Sequence, residues 1–545
     1  MSQPNRVAFV LALLLAGCGG GGDGGSAGAG PGGATTLPDL PARRASATTL
    51  VAPGCNGGSA GGTLYIDAEV EPFAAVNPGN GNHVLAVWQQ DRWSDGGARA
   101  LVSAVSRDGG ASWQRVLLPM SRCGGATAGS AGDYERASDP WVDIGPDGTA
   151  HAMGLAFTGT ALQPGSASAM LASRSTDGGA NWSAPVALVS DGAALFNDKN
   201  SLTADVTDAR FVYAVWDRLD AAGNGPTLLV RSVDGGASWE PARVIFAPTV
   251  AGGVSQTLGN RIVVLSGGAE RGNLVNVFTQ IDTVNKVSSA RLAVVRSSDH
   301  GATWSAPSYV ADVRAIGARN PEGGQAIRDG ANLPTIAAAP DGGLWLAWQD
   351  ARFSGGQRDA IAVSRSTDGG RSWSAPAAIN RIPGAVAFTP TLHVRADGLV
   401  GVLHYDLRSN TGDPASLLAD AWLLTSRDGA SWTEAHVHGP FDMAAAPEAR
   451  GLFLGDYQGL VSSGSSFVPV LTLSRTDTAN RTDIFAPRLD GIAAARESPA
   501  AAVRARTEVP AADAGRLRTL RSEAIAATME RRVPGWRERV QGRDR

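Results

Sequence analysis

Ser106-Arg107-Asp108-Gly109-Gly110-Ala111-Ser112-Trp113 decides the fold, because the chain repeats it. Copies run from Ser175 to Trp182, Ser232 to Trp239, Ser297 to Trp304 and Ser366 to Trp373. A copy one residue shorter runs from Ser426 to Trp432. The template is Ser-x-Asp-Gly-Gly-x-Ser/Thr-Trp, and each residue type has a physical task. The aspartates (Asp108, Asp177, Asp234, Asp299, Asp368, Asp428) accept backbone N–H bonds and fold the turn onto itself. Glycine supplies positive φ. Tryptophan turns inward and plugs the base of a sheet. Self-similarity of this kind marks a repeat architecture.

The six box tryptophans are spaced by 69, 57, 65, 69 and 59 residues, one four-stranded blade per interval. Other strands repeat in phase. His83-Val84-Leu85-Ala86-Val87-Trp88 alternates as a half-buried strand does. So do the runs from Phe211 to Trp216, Leu344 to Trp348 and Val400 to His404, each near a turn such as Pro340-Asp341-Gly342. The motif resembles the Asp-box, or BNR repeat, of sialidases and related propellers. That resemblance implies an all-β propeller. It also implies that each box joins the third and fourth strands of its blade, on the face away from an active site. The boxes are therefore read as structure.

Composition agrees. Glycine is 69 of 545 residues and tryptophan (14) outnumbers phenylalanine (13) and tyrosine (6). A hydrophobic content of 43% argues against wholesale disorder, and a net charge of −4 gives no support to nucleic-acid binding. Six full repeats end near residue 438. Three further strand-like runs follow, at about 452–460, 466–473 and 482–489. With one N-terminal strand near 62–68 they would form a seventh, box-less blade and close the ring without exposed sheet edges. Seven blades are thus favoured over six, with residues 46–490 as the propeller. Residues 491–545 hold twelve arginines against seven acids. They read as a short, partly helical or disordered tail, with Leu517, Leu520, Ile525 and Met529 on one weak stripe. Contact with anionic lipid or glycan is the functional alternative for this tail.

The N-terminus reads as an address. Arg6, the apolar run from Val7 and small residues before Cys18 form an export signal over 1–18, too short to span a bilayer comfortably. Leu15-Ala16-Gly17-Cys18 resembles the bacterial lipobox, which implies lipidation of Cys18. Gly19 after it resembles the pattern of outer-membrane lipoproteins. Residues 19–45 read as a glycine-rich tether. The expected location is the outer membrane or cell surface, through a lipid anchor. In that oxidising compartment Cys55 and Cys123 are expected to pair as a disulfide. No Cys/His spacing suggests zinc, and no metal or cofactor is expected. The protein is expected to be a monomer.

A propeller offers a default pocket at the end of its channel, at the starts of first strands and the ends of second strands. The first set holds Glu71-Pro72, Asp139-Pro140-Trp141, Asp198-Lys199, Asn332-Leu333-Pro334, Thr389-Pro390 and Asp456-Tyr457. The second holds Asp91-Arg92, Asp217-Arg218, Asp350-Ala351-Arg352 and Asp406-Leu407-Arg408. These Asp–Arg pairs are either a site or salt bridges between blades. The resemblance implies an exo-α-sialidase. Arg92, Arg218, Arg352 or Arg408 would grip a substrate carboxylate. Tyr457, in Gly455-Asp456-Tyr457-Gln458-Gly459-Leu460, would be the nucleophile, with Asp91 as acid/base and Glu71 as its activator. Asp139, Asp198, Lys199 and Asp456 would complete the substrate site. The Arg-Ile-Pro motif that opens the first blade in that family is replaced here by Glu71-Pro72-Phe73. A hydrolase or lyase using a carboxylate pair among Glu71, Asp139 and Asp456 stays open. So does a non-catalytic propeller that binds glycan or protein.

Overall fold

The computed structural model describes residues 43–58, 61–492 and 511–541. The export signal with Cys18, most of the 19–45 tether and the 493–510 part of the tail lie outside the described residues. The body is built of antiparallel sheet modules over residues 64–118, 136–192, 195–246, 253–312, 335–378, 387–442 and 459–485. Each of the first six has four strands in a meander and carries one box between its third and fourth strands. Every module packs on the next, and the last packs on the first, so a ring of sheets closes about a central channel. The protein is thus an almost all-β propeller. Trp88, Trp216 and Trp348, on the second strands Asn80–Trp93, Val212–Asp220 and Leu344–Asp350, are the largest fully buried side chains.

Ring closure departs from expectation. The strand near 62–68 belongs to Leu64–Asn77, the innermost strand of the first module. The 459–485 module is completed instead by residues 43–46. Ala45 N–H donates to Ile484 O at 2.8 Å and Ala486 N–H to Arg43 O at 2.7 Å. The reason is length. Leu64–Asn77 already spends its hydrogen bonds on Asn80–Trp93, so an earlier segment must cap the last sheet's edge. Residues 452–453 also leave that sheet and form a short parallel pair, Ile327 with Leu452 and Arg328 with Phe453.

Each box closes on itself. In the third, Asp234 Oδ1 accepts the Ser238 amide at 2.8 Å, and Asp234 Oδ2 accepts the Ser238 hydroxyl at 2.6 Å. Ser232 Oγ donates to Asp234 Oδ1 and accepts the Gly236 N–H, both at 2.8 Å. Those bonds, the Ser238 hydroxyl first, hold the Asp234 carboxyl down at about 2. Gly235 and Gly236 sit at φ 67° and 79°, which L side chains rarely adopt. Across the first module's flank, Cys55 and Cys123 are disulfide-bonded with Cα atoms 5.6 Å apart. They tie the segment before Leu64–Asn77 to the turn after Gln114–Leu118.

The tail is not a solvated appendage over its described part. Helix α1 (Ala511–Arg532) and the short α2 (Trp536–Gln541) lie on the face opposite the boxes. Leu517, Ile525, Met529, Val533 and Trp536 are buried, and the last four join the hydrophobic core of modules one to five. Within α1, Leu517, Ile525 and Met529 are spaced by eight and four residues, which puts them on one apolar face. Pro534 ends the helix. Glu530 accepts the Gly535 and Arg537 amides at 2.7 and 3.0 Å and fixes the turn into α2. No helix among the described residues is long and apolar enough to cross a membrane.

Candidate functional site

The innermost strands bring the site together by a shared irregularity. Pairing slips between Val70 and Phe73, Ser138 and Trp141, Leu258 and Arg261, and Phe388 and Thr391. It slips again beside Lys199, between Ser201 and Asp198. The bulge residues are Glu71 (φ 58°), Asp139 (φ 51°), Lys199 (φ 50°) and Thr389 (φ 48°), with Gly259 (φ 69°) in the fourth module. Four non-glycine residues in the left-handed region, each in the same phase of its module, form a strained ring at the channel. Between the last module and the first, Gly455 lets the backbone approach. A Cβ there would lie 2.7 Å from Glu71 Cα. That contact sets Asp456 against Glu71, whose Oε1 accepts the Asp456 N–H at 3.3 Å.

The ring places three carboxylates around one ammonium. Lys199 Nζ lies 2.8 Å from Asp139 Oδ1, 2.7 Å from Asp456 Oδ2 and 3.4 Å from Glu71 Oε1. Arg328 grips Asp456 with both arms of its fork, at 3.1 and 2.8 Å. All are buried except Arg328, which is half-buried. Burial raises the Glu71 carboxyl to about 7; Lys199 opposes that rise, and Asp139 and Asp456 add to it. Burial works against the charge of Lys199, but Asp139, Asp456 and Glu71 outweigh it and push the ammonium well above its ordinary value. Burial would likewise raise Asp456, but Arg328 and Lys199 hold it well below the usual range.

Arg92 stands beside this cluster and is 1% exposed. Its Nη1 donates to Gln89 Oε1 at 2.5 Å, its Nε has no partner, and no carboxylate pairs with it among the described residues. Its guanidinium lies 4.8 Å from the Phe453 ring centroid, and that of Arg328 lies 4.3 Å from the same ring. Burial, reinforced by Arg328, lowers Arg92 to about 9.

The remaining expected residues divide. Asp91 faces Arg99 at 2.5 Å, not Arg92, and accepts the Thr49 hydroxyl and the Asp67 amide at 2.8 Å each. It pins the N-terminal segment to the first hairpin. Arg218 pairs with Asp191 at 3.1 Å. Arg352 pairs with Asp350 at 2.7 Å, and Arg408 with Asp406 and Glu434 at 2.7 Å each. These three arginines are spent on structural pairs. The Tyr457 hydroxyl donates to Pro140 O at 3.1 Å, and its ring meets Trp141 edge-on at 5.3 Å. Glu71 faces Gln89 and Lys199 instead of that hydroxyl. Burial, then Glu71, pushes the phenol well above its ordinary value. Tyr457 also lines a small cavity below the cluster with Phe73, Trp141, Lys199 and Asp456.

Four arginines were not foreseen: Arg328, Arg450, Arg531 and Arg532. Asp198 and Asp217 stand directly opposite each other on paired strands, an arrangement that repels. Arg532 of α1 resolves it, donating to Asp198 at 2.6 Å and also to Asp217. Nothing in the local sequence around Arg328 or Arg532 announces a partner, because those partners lie 128 and 334 residues away.

Residues 211–438 match the BNR repeat-like domain family. No curated protein matches the chain. Among solved structures, a Hadza microbial sialidase is similar at 16% identity over 75% of this chain and 77% of its own, with a TM-score of 0.42. A Penicillium chrysogenum α-L-arabinanase is similar at 11% identity over 80% and 100%, TM-score 0.42. A Streptococcus pneumoniae sialidase is similar at 12% identity over 84% and 71%, TM-score 0.39. The BNR repeat-like match thus covers 211–438, inside the longer run of boxes from Ser106 to Trp432.

Proposed function

We propose that this propeller takes a carboxylate-bearing sugar at its channel mouth and hydrolyses the glycosidic bond, as an exo-α-sialidase-type glycoside hydrolase. Arg92 carries the reading. A buried guanidinium without a carboxylate is costly unless an anion joins it, and its planar fork matches a carboxylate. Glu71, raised to about 7, keeps its proton near neutral pH and is suited to protonate a leaving oxygen. Asp139 and Asp456, which share Lys199 with Glu71, are the candidates for the second carboxylate. The resemblance gives attack to Tyr457; the bond from its hydroxyl to Pro140 O must break for that. On the same reading the export signal and lipobox would carry the protein to the bacterial surface.

The test is release of a fluorophore from a fluorogenic sialoside. Wild-type turnover with loss in Arg92→Met supports the reading. A folded wild type that turns over no sialoside removes it. Tyr457→Phe then separates the nucleophiles, since a carboxylate mechanism survives it. A second reading, a propeller that binds glycan without cleaving it, draws on Arg532, which fills part of the mouth from within. Glycan binding without turnover is its signature.

A further inference from the structure

The C-terminal helix crosses the channel mouth. Leu517 packs at Gly356 in the fifth module, Ser522 Oγ accepts the Ser288 amide at 2.9 Å in the fourth, and Thr528 meets Asn332 at 3.2 Å. Arg532 then ends over the third module at Asp198 and Asp217. Beside the end of α1 lies a pocket that reaches solvent at the exposed Gly159 and Thr160. Arg92, Arg328 and Arg450 line it from the propeller, and Arg531 and Arg532 line it from α1.

These guanidiniums are not alike. Arg328 and Arg532 have carboxylate partners. Arg92, Arg450 and Arg531 have none among the described residues. Arg450 donates to Arg531 O at 2.6 Å and to Asp95 O at 3.3 Å, which staples the end of α1 to the first module. Among the described residues Arg531 donates only from Nη2 to Thr528 Oγ1 at 3.1 Å, and Asp329, the carboxylate that acts on it most strongly, makes no ion pair with it, so most of its fork is open to a ligand. Burial lowers Arg450 and Arg531 as it does Arg92, and Arg328 adds repulsion to each.

We infer that Arg531 of the C-terminal helix is a ligand-binding residue that joins Arg92 around one oxyanion group, so that a segment outside the propeller completes the pocket. The exposed rim lies at Gly159 and Thr160 and Arg531 stands on the helix side, so a ligand enters anionic end first, which selects a terminal carboxylate-bearing sugar over an internal one. The inference rests on the anion-binding reading of Arg92 above.

Calorimetric titration of the full chain tests it with three probes: N-acetylneuraminic acid, its methyl ester and inorganic sulfate. The acid binds and the uncharged ester does not. Arg531→Met weakens the acid about tenfold or more, comparable to Arg92→Met, while Arg516→Met on the exposed side of α1 leaves it unchanged. If sulfate binds and the sugar does not, the pocket is assigned to a free oxyanion, and the same loss in Arg531→Met still supports the inference. Wild-type affinity in Arg531→Met with loss in Arg92→Met overturns the helix's part and leaves the anion reading standing. A wild type that binds none of the probes, or binds acid and ester alike, overturns both. Should Arg531→Met fail to fold, Arg531→Lys is read in its place; it keeps the charge without the fork. Weaker binding supports the inference and unchanged affinity overturns it.

Discussion

The box face and the channel mouth are built from the same residue type and treat it in opposite ways. On the box face, an aspartate such as Asp234 is solvent-facing and satisfied by groups within four residues of it, and its carboxyl sits at about 2. At the mouth, Glu71, Asp139 and Asp456 are buried and share Lys199, whose sequence neighbours take no part in their neutralisation. Local hydrogen bonds make an acidic residue a turn. Distant cations in a low-dielectric site make it a charge-coupled cluster. The comparison teaches where to look for chemistry in a repeat protein: at the acids whose partners do not repeat.

The largest expected effect comes from Lys199→Met. It strips the shared cation from three buried carboxylates, and breaking such a cluster costs about 3–5 kcal/mol. Urea unfolding measures it; a loss under about 1 kcal/mol would show that the cluster is solvated and the contrast with the boxes false.

Glu71→Gln sharpens the comparison through pH. Folding raises Glu71 from an ordinary 4.5 to about 7. Over that window the folded protein holds a proton the unfolded chain has released, so this group's contribution falls as pH rises from 4.5 to about 7. Stability-versus-pH curves of the two proteins are expected to diverge there, with the variant gaining on the wild type toward high pH. Parallel curves would refute the raised carboxyl. If the sialoside is turned over, the fall in its rate above about pH 7 belongs to the same group and vanishes with the variant's activity.

The smallest effects are on the box face. Asp234→Ala removes the amide and hydroxyl bonds of Ser238, worth about 1 kcal/mol in an exposed turn. The wild-type contribution of Asp234 persists down to acid, because its depressed carboxyl is lost only as pH falls toward about 2. Asp428→Ala is expected to cost less. The shorter sixth box gives Asp428 the amides of Ala430 and Ser431 and the Ser426 hydroxyl, but no hydroxyl from Ser431. Thermal melts of the pair, compared with each other, check the order.

The same contrast explains what was legible. Box, strand and turn follow from residues a few positions apart, so six modules could be read directly. Glu71, Asp139, Lys199 and Asp456 were legible as a group because strand starts recur in phase, and a ring brings equal phases to one mouth. Their bulges and left-handed backbone were not, since nothing local demands φ of 58° at Glu71. Asp91 misled because Arg92 is next to it in sequence, while strand alternation sends the two side chains to opposite faces and gives Asp91 to Arg99 across the hairpin. Tyr457 lies between the strands Leu452–Phe453 and Gly459–Ser463, and packing of Trp141 and the Pro140 carbonyl decides what its hydroxyl touches.

The sequence by itself determined the repeat, the propeller and the phase of the polar residues, because period-2 strands and self-bonded turns are short-range physics. Tertiary structure alone decided that residues 43–46 close the ring, that α1 lies across the mouth, and that Arg328, Arg531 and Arg532 enter the site. The physical reason is that a buried charge must find its counter-charge in space, and no spacing along the chain records where that partner will be.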